Sequence, residues 1–429
     1  MLVVVFLFLL SEVLGGAIRY GFARVGLIPL VYLPKALLAV ALAARLALDL
    51  ARGRTSAAYL AALALLTLGA AHGYLALGHP AQPAFGLWVL IPFLAGIVAL
   101  PALASAGPRV VPYAAVLWAI AAGGVLLNAV HQWPWMGFVY RVAGTEIEGS
   151  RLWQTGGFVR LAGFSRASFD AATQILLLAT VAMVWARGPW RLAVWLLSGV
   201  AIALTTAKMS FGVYLVLSLF WLTHRLGTRE LWRLVPVGAA AIAAALPFST
   251  LLVEYDFSSA REDPIRRLLF ASIGDRVERM WPDTLETILT HGNWLFGRGV
   301  GGIGMAQQYF EPVLYSPADN LVVYLYALFG VVGIGSVVLY ALGLMLLPLR
   351  DRLSRLVFAF GVSALLAGVT ANALESALLA LGFGASLRYA TGTAMDALAV
   401  AAAGTDGPGR RTSAAPGRPA GVAESPGRA

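Results

Sequence analysis

The sequence contains no cysteine, so disulfides and thiolate metal sites are excluded. Charge is scarce too. Asp, Glu, Lys and Arg make up 12% of the chain, about half the ~25% of a soluble domain, and no amphipathic surface can cover so much apolar sequence. Lysine is almost missing: Lys35 and Lys208 are the only two, so nearly every cation is an Arg that stays charged at any relevant pH. There is no Asp-x-Asp and no His pair at i, i+4. His72, His79, His131, His224 and His291 are scattered and read as structural or interfacial. No metal and no cofactor is expected. Met1 to Leu10 has no basic n-region, and Ser11-Glu12 follows without a small-residue cleavage site, so no cleavable signal peptide is expected.

What is present is apolar sequence, 59% of the chain, in recurring runs of ~17–25 residues that suit membrane-crossing helices. The runs are continuous rather than alternating, which excludes a β-barrel. The expected fold is all-α and polytopic, with about twelve transmembrane helices near 2–18, 27–48, 57–77, 85–105, 110–130, 168–186, 190–206, 209–223, 232–252, 319–347, 355–375 and 382–403. Arg388 and Asp396 interrupt the last. The stretch 319–347, with Gly330, Gly333 and Gly335, reads either as one tilted helix or as a half-helix leading into a helix. Residues 1–403 form one transmembrane domain, and 404–429, rich in Pro, Gly, Ala and Arg, read as a disordered cytoplasmic tail.

Short-loop Arg residues orient the chain. Arg52, Arg54, Arg109, Arg187, Arg191, Arg225, Arg229, Arg233, Arg350, Arg352 and Arg355 fall on alternate turns, and Arg410 and Arg411 follow in the tail. The turns between them are nearly uncharged. Both termini are therefore expected in the cytoplasm, and the chain as a multi-pass protein of the bacterial inner membrane. Two long loops, 131–167 and 253–318, then lie on the periplasmic side and are expected to carry short helices. They break the charge pattern, with Arg141, Arg151, Arg160 and Arg166 on the first and Arg261, Arg266, Arg267, Arg276, Arg279 and Arg298 on the second. Glu146, Glu148, Glu262, Asp263, Asp275 and Glu278 are available to pair with some of them. Guanidinium forks bind phosphate oxygens bidentately. Both loops are also aromatic, with Trp133, Trp135, Trp153, Trp281 and Trp294 among others. Such rings favour headgroup depth and stack on sugar faces. Arg and aromatics together suit a lipid-diphosphate-linked saccharide. Within the spans, Glu375, Asn128 and Lys35 are the polar residues that call for a cavity or a partner.

The segment from Trp294 to Gly335 is the most informative. Gly297, Gly299 and Gly302 match G-x-G-x-x-G, but no strand precedes them, so a close-packed glycine turn is the better reading. Asp319-Asn320 then opens a helix, where Asp is either an N-cap or faces a reacting hydroxyl. This order of features resembles the O-antigen ligase and Wzy-type polysaccharide polymerase superfamily. The resemblance rests on Arg276 and Arg279 ahead of Trp281, then Leu295-Phe296-Gly297-Arg298-Gly299, then Ala318-Asp319-Asn320, then Gly330 to Gly333. Upstream, Arg160, Gly163 and Phe164 look like the family's R-x-x-G-F, and Thr205-Thr206-Ala207-Lys208 like its T-x-S-R turn. Asp319 stands where the ligases carry His, which is more like the polymerases. Lys208 replaces an Arg.

The resemblance implies a metal-independent glycosyltransferase that polymerises or ligates undecaprenyl-diphosphate-linked oligosaccharides at the periplasmic face, in O-antigen, capsule or exopolysaccharide synthesis, with polymerase favoured. It implies Arg276 or Arg279, Lys208 and Asp319 as catalytic residues. It implies Arg160, Arg298, Asn320, Trp281, Arg141 and Arg151 as diphosphate and glycan contacts. The partners would be the glycan donor and acceptor, the bilayer and a chain-length regulator, with no nucleic acid. A transporter or flippase for an anionic lipid-linked glycan is the alternative. It would show internal repeats and midplane charges, neither of which is evident.

Overall fold

The computed structural model describes residues 1–405 apart from 54, 56, 143–144, 156–157 and 259–262. The expected disordered tail lies outside the described residues from 406 onward. Helix dominates. The first half holds α1 (Leu2–Val13), α2 (Gly15–Arg24), α3 (Leu33–Ala51), α4 (Ala57–Ala76), α5 (Ala81–Val89), α6 (Ile91–Ala106) and α7 (Val111–Asn128). After the first long loop come α8 (Ser168–Trp185), α9 (Trp190–Leu204), α10 (Lys208–Thr223) and α11 (Arg229–Ser249). The second long loop carries α12 (Pro264–Asp275), α13 (Trp281–His291) and α14 (Gly304–Phe310). The chain then returns through α15 (Leu321–Phe329), α16 (Val331–Met345), α17 (Arg352–Ala367) and α18 (Ala377–Thr405).

Among the described residues, five stretches are long and apolar enough to cross a membrane: Ile28–Ala51, Tyr59–Ala76, Ile91–Asn128, Ser168–Trp185 and Arg229–Ser249. The twelve expected spans do not all form single straight helices. The first is a bent pair, α1 and α2 meeting at 77°. The fourth divides into α5 and α6, with Pro92 starting the second piece. The stretch 319–347 divides into α15 and α16 at Gly330 (φ 58°), where a Cβ would lie 2.0 Å from the Leu295 carbonyl oxygen. Only glycine fits there, because the second loop packs directly on the break. α9 and α10 have 15 and 16 residues, just short of the ~17 that a straight span needs. Arg388 does not end the last helix: it lies within α18, and its Nη1 donates to the Ile97 carbonyl of α6 at 2.9 Å.

α8 and α15 sit at the centre. Every residue of α15 is buried. Outward faces are apolar, with Leu75, Leu222 and Leu339 exposed, as lipid-facing helices require.

The first long loop corrects the expectation of short helices. It forms two antiparallel hairpins, β1 (Val139–Val142) with β2 (Thr145–Glu148) and β3 (Gln154–Thr155) with β4 (Phe158–Val159). Val139, Val142, Thr145 and Ile147 are β-branched, and in β2 Thr145 and Ile147 alternate with Glu146 and Glu148, a strand pattern. The second loop is helical, as expected. Its glycine-rich segment lies on α4: Val300 N–H donates to the Gly69 carbonyl at 2.9 Å, and a Cβ on Gly299 (φ 85°) would meet Gly73 N at 2.4 Å. The glycines of this turn are used in close backbone contact with the neighbouring helices, Gly297 against Ala327 and Gly299 against Gly73.

Candidate functional site

The helix ends that the Arg pattern puts on the outer side converge on one cavity of 680 Å³, roofed by both long loops. That is ample for a small organic ligand, whose sites typically span ~300–1,000 Å³. Of the residues expected to act, Arg151, Arg160, Lys208, Arg276 and Asp319 line it together, although they come from positions up to 168 residues apart in four separate segments.

Asp319 reaches the cavity by a strained route. Ala318 and Asp319 both take positive φ, 61° and 42°, costing ~1–3 kcal/mol each for residues other than glycine. Neighbours hold them there. Trp281 Nε1 donates to the Ala318 carbonyl at 3.0 Å. Asn320 caps α15 by accepting from Val323 N–H at 2.9 Å, while its Nδ2 donates to the carbonyls of Ala243 and Val369. Asn320 and buried Trp281, expected as substrate contacts, are therefore positioning residues whose polar atoms are used within the protein. On the opposite wall Thr206 is also at positive φ, 51°, and it sets the turn that starts α10 at Lys208.

Arg276 and Arg279 fitted the sequence pattern equally well. The structure separates them. A π-helical turn, Arg276–Met280, follows α12. It inserts one residue per turn, a device frequent at functional sites. Arg276 points into the cavity, with Nη2 donating to Asp319 Oδ2 at 2.6 Å and Nη1 to Ser272. Arg279 points to solvent and pairs with Asp275 at 2.8 Å. Two further expected contacts are also elsewhere. Arg141 is exposed and pairs with its cross-strand neighbour Glu146. Arg298 is buried under the glycine-rich turn, its donors used by Gly302 O, His291 O and both oxygens of Glu311. It is a staple for that turn. Arg298→Ala should leave the Glu311 carboxylate largely buried without its partner, costing about 3–5 kcal/mol; a matching fall in the unfolding temperature of the purified protein checks this, and an unchanged one would refute it.

The cations in the cavity are crowded. Arg151 and Arg160 both place their guanidinium groups over the Trp153 ring, at 5.2 and 5.1 Å, and Arg160 N–H donates to the Trp153 carbonyl at 2.9 Å. Arg160 has no carboxylate partner among the described residues, and the Nε atoms of Arg160 and Arg276 are buried without an acceptor. Burial, then the neighbouring Arg276, lowers the pKa of Arg160. Burial, then Arg160 and Arg276, lowers that of Lys208. Burial raises the Asp319 carboxyl, and Arg276 pulls it partly back. Like charges held this close, with buried donors unfilled, favour an anion over a cation in the cavity. Trp153→Ala removes the ring that holds two guanidinium groups, and about tenfold weaker binding of inorganic pyrophosphate is expected from two lost cation–π contacts. Calorimetry measures it, and an affinity equal to wild type would deny Trp153 this role.

Sequence reasoning missed the other wall of the cavity: Glu12, Arg19 and Asp170, with Arg166 and Lys35 noted but given no role. Glu375, expected inside a span, lies instead in the turn after α17, where it accepts from Met305 N–H at 2.8 Å. Burial pushes its carboxyl up to about 7. The α1–α2 bend delivers Glu12 and Arg19 to this wall, and an apolar run gives no sign of such a bend.

The fold and the site together define a helical protein with several helices long and apolar enough to cross a membrane and a cation-rich cavity lined by both long loops. No family model, curated protein or solved structure matches the chain.

Proposed function

We propose that the protein is a membrane glycosyltransferase that joins undecaprenyl-diphosphate-linked oligosaccharides at the periplasmic face of the bacterial inner membrane, a polymerase rather than a ligase. Twelve crossings, counting broken helices, would put both termini in the cytoplasm. One observation carries the reading: Arg160, Lys208 and Arg276 crowd one side of the cavity, with the Asp319 carboxylate hydrogen-bonded to Arg276 among them. Such a cluster suits a diphosphate leaving group, and a carboxylate set among the cations suits a base for a sugar hydroxyl.

In the reaction the anomeric C–O bond of the donor breaks, and its electron pair leaves with the lipid diphosphate. Charge grows on that oxygen, and preorganised cations in a dry site stabilise it. The acceptor hydroxyl oxygen forms the new bond to the anomeric carbon, and its proton passes to Asp319. Asp319 Oδ2 is engaged by Arg276, while Oδ1 accepts no hydrogen bond among the described residues, which leaves it for the acceptor. Products are a longer lipid-linked glycan and undecaprenyl diphosphate.

The test supplies purified protein in nanodiscs with undecaprenyl-diphosphate oligosaccharide, without nucleotide sugar. Longer glycans, with one undecaprenyl diphosphate released per bond, are expected. Unchanged glycans would refute the reading, and glycans that cross a vesicle bilayer unaltered would favour a transporter.

A further inference from the structure

The cavity has two chemically different walls. One holds four cations, Arg151, Arg160, Lys208 and Arg276, of which Arg276 pairs with Asp319 and Arg151 with Glu148 at its rim. The other is balanced: Glu12, Asp170 and Glu375 face Arg19, Lys35 and Arg166. In this second wall no two opposite charges close to ion-pair distance among the described residues. Most of these groups are instead held by the scaffold. Arg19 Nη1 donates to the Gly15 carbonyl at 2.9 Å and Arg166 Nε to the Glu148 carbonyl at 3.2 Å. Ser376 Oγ donates to Asp170 Oδ1 at 3.5 Å, and Lys35 Nζ lies over the Trp88 ring at 5.4 Å. The backbone fixes the spacing: Gly16 N–H donates to the Phe164 carbonyl at 2.8 Å, and Gln174 Nε2 to the Glu12 carbonyl at 3.3 Å. Ionic groups of both signs, prevented from pairing and lining an open cavity, are placed to make charge-assisted hydrogen bonds to something polar but uncharged.

Aromatic rings complete this wall. Trp88, Tyr32 and Tyr309 line the cavity alongside it. Carboxylates and guanidinium groups that bind hydroxyls, with flat rings for the apolar faces of a pyranose, make a saccharide site. A polyanion gains less here than on the first wall, because carboxyl groups stand beside the cations and oppose their pull. We propose that this wall is the acceptor subsite and takes the terminal, phosphate-free sugars of the acceptor glycan, with Glu12 and Asp170 as the main hydroxyl acceptors. The assignment rests on the glycosyl-transfer reading only for the word acceptor; the binding of a neutral saccharide does not depend on it.

Three probes test this by saturation-transfer NMR and calorimetry on the full chain in nanodiscs: inorganic pyrophosphate, the phosphate-free oligosaccharide released from the cell's own lipid-linked glycan by mild acid, and glycerophosphoethanolamine as a zwitterionic headgroup. Wild-type protein should bind the first two. Glu12→Gln and Asp170→Asn should weaken oligosaccharide binding about tenfold or more, the usual effect of losing a hydrogen bond to a charged group, with pyrophosphate affinity unchanged, which also reports that the variants are folded. Unchanged oligosaccharide binding in both variants overturns the proposal. So does loss of both probes together, or glycerophosphoethanolamine displacing the oligosaccharide. Oligosaccharide binding that depends on Asp170, in protein that never elongates a glycan, keeps the subsite and removes the glycosyl-transfer reading.

Discussion

Asp319→Asn should slow glycan elongation by about 10²–10⁴-fold, the usual loss when a general base is removed. The amide keeps the size of the side chain but cannot take a proton. The protein should still insert and fold, because the strained backbone at Ala318 and Asp319 is held by Trp281 and Asn320 rather than by the carboxylate. Pyrophosphate affinity should not fall and should rise slightly, since Arg276 loses its competing carboxylate. The pH profile gives a second readout. Burial raises the Asp319 carboxyl above its ordinary value, and the ionised form is the active one. Wild-type activity should therefore be lost, as pH falls, at a higher pH than for an exposed aspartate. That acid limb should be absent from the residual activity of the variant. A wild-type rate in Asp319→Asn would remove the base.

Arg276→Ala should lower the turnover rate by about 10²–10³-fold, as when one preorganised donor to a developing anion is removed. Two effects add. The leaving diphosphate loses a buried cation, and Asp319 loses the guanidinium that offsets its burial. Without that cation the carboxyl rises further, so whatever activity is left should show its acid limb at higher pH than wild type. Arg276→Lys keeps the charge but not the fork and should fall between. Arg279→Ala is the control. Its pair with Asp275 is exposed, and such pairs contribute little, so elongation should stay within about twofold of wild type. Equal losses in the alanine variants of Arg276 and Arg279 would contradict the geometry.

These two arginines show how far the sequence could be read. Both stand before Trp281, and no spacing rule separates them, because a π-helical turn is decided by packing rather than by local composition. Hydrophobic runs and the Arg pattern were legible, and residues of both long loops line one cavity in the structure. The breaks within the first and fourth runs were not. The stretch around Gly330 allowed either one tilted helix or a broken one, and the Leu295 carbonyl packed against Gly330 decides for the break. Arg298 was indistinguishable from its neighbours in type and position. Its role as a staple follows from Glu311 and the glycine turn, contacts that only the folded chain makes. The balanced wall was the hardest to foresee. Glu12 and Arg19 sit seven residues apart in what reads as a simple first span, and the 77° bend that turns them into the cavity is set by the end of the first loop.

All of this requires the crowded cations to face outward, away from the cytoplasm. The cysteine-free sequence allows a clean measurement. Arg141, exposed on the first hairpin, and Arg52, exposed on an inner turn, can each be replaced singly by cysteine and treated with a membrane-impermeant maleimide. Labelling of Arg141→Cys in intact spheroplasts, and of Arg52→Cys only after lysis, is the predicted result. The reverse pattern would put the cavity in the cytosol and contradict a periplasmic transferase.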